Sequence, residues 1–249
     1  MSAFEQKSAV VIGGSGGIGL EISLMLARNG ANLTIQGRSE KKLFDCARSI
    51  QELYGINCNT IQMNFDSSDF TSLENSPLIK YVAQADILCV CYGPFIQESL
   101  DCMTAKQWQD ASVLNYALPG FFVSSALKNM IKKKWGRILL FGGTGTSFRA
   151  EFKTNVAYAG SKTALGVLVQ SAAAFYADYG ITCNAILPGF TETEYVSQKT
   201  GAELKAKNPG GTLIDSKSIA KAAEFLLLND DLNGVLLRAD RGWSPLAKL

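Results

Sequence analysis

Apolar residues along this chain fall alternately into short continuous runs and longer stretches at helical spacing. Val10, Val11 and Ile12 form a β-branched run suited to a buried strand. Ile22, Leu24, Met25, Leu26 and Ala27 then follow at near-helical spacing until Gly30. Residues 33–36 read as a second strand. Residues 40–54 read as a helix with Leu43, Ala47, Ile50 and Leu53 on one face, and residues 56–63 as a third strand. Asn64 to Asp69 predicts a strand end turning into a capped helix. Residues 85–91 form a fourth apolar strand, broken by Tyr92, Gly93 and Pro94. A long helical region over 104–134, bent at Pro119 and Gly120, precedes a fifth strand at 137–141. A long helix over 155–179 leads to a sixth strand at 181–187, which Pro188 and Gly189 end. After a polar, glycine-rich stretch with little pattern, residues 216–229 form the last helix and 234–238 the last strand.

This alternation predicts an α/β doubly wound parallel sheet of about seven strands, in the order 3-2-1-4-5-6-7, with helices on both faces. Right-handed crossovers place ligands at the carboxyl ends of the strands. The loops after strands one, two, four, five and six are therefore the functional candidates. The length of 249 residues suits a single domain over 1–249.

Composition narrows the function. Hydrophobic residues are 47% of the chain and charged residues 18%, which supports a large core. Lys plus Arg number 24 against 22 Asp plus Glu, a net charge of +2 without the basic stripe of a nucleic-acid binder. The basic run Lys132, Lys133, Lys134 reads as a solvated helix end, where cations suit the dipole. No apolar run reaches membrane-span length, and the N-terminal residues have no signal-peptide layout, so a cytoplasmic protein is expected. The cysteines Cys46, Cys58, Cys89, Cys91, Cys102 and Cys183 form no CxxC pair and read as free thiols. With no histidine in the chain, His-based acid–base chemistry and His metal ligation are excluded, and no metal is expected.

The first strand runs into Gly13, Gly14, Ser15, Gly16, Gly17, Ile18 and Gly19, and a helix follows. Glycines there allow a sharp turn and close approach of the backbone to a pyrophosphate, while the helix start offers free amides and partial positive charge. A second anchor is Tyr158-Ala159-Gly160-Ser161-Lys162. Tyr and Lys at this spacing share one helix face, and a nearby ammonium favours the phenolate, so the pair can exchange a proton with a carbonyl or alcohol oxygen.

Together these pieces resemble the short-chain dehydrogenase/reductase superfamily over nearly the whole chain. The resemblance rests on the loop with Gly13, Gly17 and Gly19, Asp66 after strand three and Asn115 in VLNYALPGFF. It rests also on YAGSK, PGFTET at Pro188 to Thr193, and the late ADRGW. It implies hydride transfer between a nicotinamide and a substrate carbon, with Tyr158 as acid–base residue and Lys162 binding the nicotinamide ribose and tuning Tyr158. Asn115 would hold a water in a proton relay, Asp66 would meet the adenine and Thr193 the nicotinamide side. The cofactor-binding set it implies is Gly13, Ser15, Gly16, Gly17, Ile18, Gly19, Arg38, Asp66, Gly93, Tyr158, Lys162, Pro188, Gly189, Thr191 and Thr193. Residues 190–215 resemble the family's mobile substrate loop. The helical regions 104–134 and 155–179 resemble those that pair in its homodimers and homotetramers.

The sequence departs from the family at two places. Where the family has Asn-Asn-Ala-Gly after strand four, this chain has Val90-Cys91-Tyr92-Gly93. Gly143 stands where the catalytic serine belongs. A substituting hydroxyl would come from Thr144, Thr146 or Ser147, or be absent; Thr144 is one position away and can equally cap its own turn.

Strand two ends at Gly37 and Arg38 with no acid. An acid there would hold the ribose hydroxyls of NAD, whereas a guanidinium suits a 2′-phosphate, helped by Lys41 or Lys42, so NADP(H) is expected over NAD(H). Phe95, Phe148, Phe152, Phe190 and Tyr195 are candidates to line an apolar substrate pocket. The activity expected is an NADP(H)-dependent carbonyl reductase or alcohol dehydrogenase acting on CH–OH donors. The alternative is a catalytically weak or inactive dinucleotide-binding sensor or structural protein of the same fold.

Overall fold

The computed structural model describes residues 2–147 and 151–243. Its strands, in chain order, are β1 (Ser8–Ile12), β2 (Asn32–Gly37), β3 (Asn59–Gln62), β4 (Ile87–Val90), β5 (Gly136–Phe141), β6 (Ile181–Pro188), β7 (Thr191–Glu192), β8 (Ile214–Asp215) and β9 (Leu236–Ala239). Seven of them form one sheet in the order β3-β2-β1-β4-β5-β6-β9, parallel at every pairing. The doubly wound sheet expected from the alternation is present.

The helices are α1 (Gly17–Arg28), α2 (Glu40–Tyr54), α3 (Pro77–Val82), α4 (Ala105–Ser112), α5 (Leu118–Lys133), α6 (Val156–Tyr176), α7 (Gln198–Lys207) and α8 (Ser216–Leu228). Because successive strand residues face opposite sides, β1 sends Ala9 and Val11 to one face and Val10 and Ile12 to the other. Val11 joins Ile22, Leu26, Leu43, Ile50 and Leu226 in a layer with α1, α2 and α8. Val10 and Ile12 join Leu78, Leu118, Phe122, Leu165 and Val169 in a layer with α3, α5 and α6. Both faces are covered, so the strands read as continuous apolar runs.

Register decides where the site forms. Ile12 lies level with Gln36 of β2 and Val90 of β4, so the residues after these strands meet at one edge. Lys133 anchors α5 through a 2.6 Å ion pair with Asp86, which is buried and also accepts from Ser8 N at 2.9 Å. The expected solvated helix end is thus partly a tether.

Several boundaries differ from those the sequence predicts. The 104–134 region is not one uninterrupted α-helix. A widened, π-helical turn at Val113–Ala117 separates α4 from α5, and Pro119 sits harmlessly in the first turn of α5. The capped helix expected after Asn64 is a 3-10 stretch over Ser67–Asn75 with Asp66 as its cap. The patternless stretch after residue 190 contains α7 and the two-stranded β7–β8 ribbon. Among the described residues all cysteines are free, and no helix is long and apolar enough to cross a membrane.

Candidate active site

The glycine loop between β1 and α1 is shaped by its neighbours. Gly13 takes φ +74 and Gly17 φ +52, conformations that an L side chain strains. Gly13 N–H donates to Gln36 Oε1 and Gly14 N–H to the Gln36 carbonyl, each at 2.9 Å. Gln36 is buried and donates from Nε2 to the Met63 carbonyl at 2.6 Å, so one side chain ties the loop to the ends of β2 and β3. Its only trace in the sequence is a polar residue inside an apolar run.

A cleft of about 730 Å³ opens over these strand ends, within the size range of cofactor sites. Of the residues the sequence proposes for cofactor binding, Gly13, Ser15, Gly16, Gly17, Ile18, Gly19, Arg38, Gly93 and Thr193 line it, together with Gln36, Lys42, Asn64, Cys91, Tyr92, Phe95 and Tyr195. Tyr158, Lys162, Pro188, Gly189 and Thr191 of that set lie outside the lining, and so does Asp66. Its Oδ1 accepts from Ser68 N at 2.9 Å and Ser68 Oγ at 2.7 Å, and lies 3.6 Å from Lys106 Nζ. Gly189 presses on Asp240, and Thr191 Oγ1 donates to the Gly189 carbonyl at 3.0 Å.

Behind Gly93 and Phe95 of the cleft wall, α6 brings Tyr158 and Lys162 against the ends of β4 and β5. Lys162 is buried, donates to the Phe141 carbonyl at 2.8 Å, and has its Nζ 5.9 Å from the Tyr158 ring centre. Asn115 sits in the π-helical turn, fully buried. It donates from Nδ2 to the Pro94 carbonyl at 3.1 Å, while its Oδ1 has no partner among the described residues. A Cβ on Gly93 would lie 2.5 Å from Lys162 Nζ and 2.6 Å from Asn115 Oδ1, so only glycine lets both polar groups converge there. This orphaned buried acceptor and the side-chain-free glycine loop fit a polar ligand held along the cleft.

Burial dominates the two ionisable groups. It pulls the Lys162 ammonium down to about 8 and pushes the Tyr158 phenol up to about 12. The expected lowering of the phenol by Lys162 is therefore overridden in the free protein. At neutral pH this leaves a protonated tyrosine beside a cationic lysine, a pair set to donate a proton.

Position 143 faces the tyrosine: a Cβ there would lie 3.3 Å from both Tyr158 Cε1 and Oη. Two of the three candidate hydroxyls nearby are directed elsewhere. Thr144 Oγ1 donates to Asp240 Oδ2 at 3.3 Å, and Thr146 Oγ1 donates to the Gly143 carbonyl at 2.7 Å. Among the aromatic candidates, Phe95 stacks edge-on to Tyr158 with ring centres 5.0 Å apart. Phe190 meets Trp243 at 5.8 Å, and Phe152 and Trp243 flank Gly145. Tyr195 lies instead over Lys42, 4.4 Å from Nζ to ring centre, beside the glycine loop. Phe148 lies outside the described residues.

The strand order, the glycine loop and the cleft above it define a Rossmann-type dinucleotide-binding fold. Residues 7–204 match the family profile described as short chain dehydrogenase. The L-rhamnose 1-dehydrogenase (NADP(+)) of Thermoplasma acidophilum is 29% identical, over 97% of this chain and 98% of its own length. The 3-oxoacyl-(acyl-carrier-protein) reductase FabG of Escherichia coli is 32% identical over 90% of each chain. Among solved structures, a short-chain dehydrogenase/reductase from Serratia marcescens superposes with a TM-score of 0.85 at 25% identity, covering 96% of this chain and 98% of that one. The chain belongs to the short-chain dehydrogenase/reductase family of oxidoreductases.

Proposed function

We propose that this protein is an NADPH-dependent reductase that interconverts a carbonyl and a secondary alcohol. The observation that carries the reading is the meeting of Lys162 Nζ and the unpartnered Asn115 Oδ1 behind Gly93 of the cleft wall, with Tyr158 on the same helix as Lys162 and edge-on to Phe95 of that wall. The glycine loop, Arg38, Gly93 and Thr193 would hold the dinucleotide, with Asp66 toward its adenine and residues 188–191 toward its nicotinamide end. When bound, the nicotinamide supplies or takes the hydride. Tyr158, protonated at neutral pH, gives its proton to the carbonyl oxygen of the substrate. The Lys162 ammonium stabilises the phenolate that remains, and Asn115 Oδ1 holds a water through which the proton is replaced. Phe95 and the aromatic group Phe152, Phe190 and Trp243 supply apolar contact to the substrate.

The named relatives act on a sugar and on an acyl-carrier-protein thioester. The test is NADPH oxidation with β-ketoacyl thioesters, ketones and quinones, beside NADP+ reduction with aldoses and secondary alcohols. The sensor reading rests on Gly143, which leaves no hydroxyl on that residue facing Tyr158. It becomes the better account if NADPH binds and nothing in this panel is reduced or oxidised.

Lys162 gives the activity a pH signature. A lysine held near 8 is cationic below that pH and neutral above it. The ratio kcat/KM for NADPH at saturating ketone reports ionisations of the cofactor-free enzyme. It is expected to be level below pH 8 and to fall about tenfold per unit above it, as one required proton is lost. A profile level through pH 9.5, on the order of 1.5 units higher, says that the ammonium is not required.

The large exposed side chains Trp108, Tyr116, Val167 and Phe175 on α4, α6 and the turn between α4 and α5 give reason to expect a homodimer or homotetramer. Light scattering at micromolar concentration that reads a monomer overturns this.

A further inference from the structure

The amide of Gly17, the first residue of α1, is one of the free N–H groups that make a helix start an anion seat. In this structure its partner is the chain's own carboxylate. Gly17 N–H donates to Glu194 Oε2 at 3.0 Å and more weakly to Oε1 at 3.3 Å. Glu194 also takes an ion pair from Lys42 Nζ at 3.0 Å, and Lys42 in turn donates to the Tyr195 hydroxyl at 3.4 Å. The same ammonium lies over the Tyr195 ring. Three separate parts of the chain thus meet across the cleft: the glycine loop, α2, and the stretch between β7 and α7. The contact needs Gly16. A Cβ there would run into Glu194 Oε1 and the Tyr195 hydroxyl. The charges answer one another: burial opposes ionisation of Glu194, but Lys42 and the Gly17 amide still hold its carboxyl below the usual range.

We infer that Glu194 is a built-in competitor for the phosphate of the dinucleotide, occupying the Gly17 amide and Lys42 until the cofactor displaces it. The inference rests on the cofactor reading proposed above. The exchange is balanced in charge: a phosphate replaces a carboxylate, so neither the amide nor Lys42 is left unpaired. The latch also holds Thr193 and Tyr195, both part of the cleft wall, against the loop, so its release moves the wall as well as clearing the seat. Any population held latched lowers the apparent affinity for the cofactor in proportion.

The experiment measures NADPH dissociation constants by fluorescence titration for wild type, Glu194→Ala, Glu194→Gln and Glu192→Gln. Glu192 is exposed in β7 and controls for the loss of one negative charge. Glu194→Ala is expected to bind NADPH about threefold to tenfold more tightly, the scale of a partly exposed ion pair with its hydrogen bonds. Glu194→Gln should fall between it and wild type, because its amide oxygen can still accept from Gly17, and Glu192→Gln should match wild type. A second readout needs no cofactor: the Gly17 amide should exchange with solvent several-fold faster in Glu194→Ala. Equal affinities in wild type and Glu194→Ala overturn this inference alone. So does weaker binding by Glu194→Ala, which would make Glu194 a clasp on the cofactor, or an equal gain in Glu192→Gln. If none of the proteins binds NADPH or NADH, the functional reading fails and takes this inference with it.

Discussion

Tyr158→Phe is expected to lower turnover by about 100- to 10,000-fold while leaving NADPH affinity nearly unchanged. The substitution removes one hydroxyl and keeps the ring that stacks edge-on against Phe95 at 5.0 Å. It leaves intact the glycine loop, fixed by Gln36, and Arg38, which lines the cleft at the end of β2. What it removes is the proton donor. Burial keeps the phenol protonated up to about 12, so at neutral pH Tyr158 carries a proton to give in the direction of carbonyl reduction. Lys162 gives one of its three N–H groups to the Phe141 carbonyl at 2.8 Å and lies 5.9 Å from the Tyr158 ring centre, and its proposed part is to steady the phenolate. The measurement is steady-state turnover on a verified carbonyl substrate, beside an NADPH titration of the same protein. Full activity in the phenylalanine variant would show that the mechanism is wrong even though fold and family stand. Loss of turnover together with loss of NADPH binding would show that Tyr158 holds the cofactor rather than moving the proton.

The parts of the site that are legible in the sequence share one property: they depend on local spacing. Tyr158 and Lys162 are one helical turn apart wherever that helix lies, and the glycines of the loop reveal a backbone need that no other residue meets. The parts that are not legible depend on contacts between distant segments. Gln36 looks like an ordinary strand residue until register places it beside Gly13. Glu194 lies far from Gly17 in sequence and reaches it only through the chain between β7 and α7. The π-helical turn that holds buried Asn115 carries no periodicity of its own, so the sequence reads straight through it. The proton affinity of Tyr158 escapes a sequence reading for a similar reason. The spacing supplies the nearby ammonium, whereas the depth of burial that outweighs it is a property of the folded chain. Position 143 is the opposite case. Counting along the sequence puts Gly143 in the serine's place, and the backbone there does face Tyr158 Oη.

Arg38→Ala is expected to weaken NADPH binding by about 10- to 100-fold while barely changing NADH binding. The argument begins one residue earlier. Gly37 ends β2, and a Cβ there would crowd the Ser15 side chain and lie 3.3 Å from Leu43 Cδ2. An acidic side chain at that position, which would hold the ribose hydroxyls and repel a 2′-phosphate, is absent, and one placed there would have to move Ser15 and Leu43 aside. Arg38 follows immediately, is exposed, lines the cleft, and makes no ion pair with any described residue. Lys42, the other cation of the cleft wall, is paired with Glu194 at 3.0 Å and, on the inference above, meets the phosphate that displaces that carboxylate, which leaves Arg38 as the cation at the end of β2 for the 2′-phosphate. A charge-assisted hydrogen bond to a phosphate contributes about 1.5–3 kcal/mol, which sets the expected loss. NADH lacks the 2′-phosphate and should hardly register the change. Titration of both cofactors into wild type and Arg38→Ala decides the matter. If both weaken equally, Arg38 supports the fold of the loop or the adenine common to the two; if neither weakens, the 2′-phosphate is read elsewhere. A selective loss of NADPH alone would assign the cofactor preference to this one side chain.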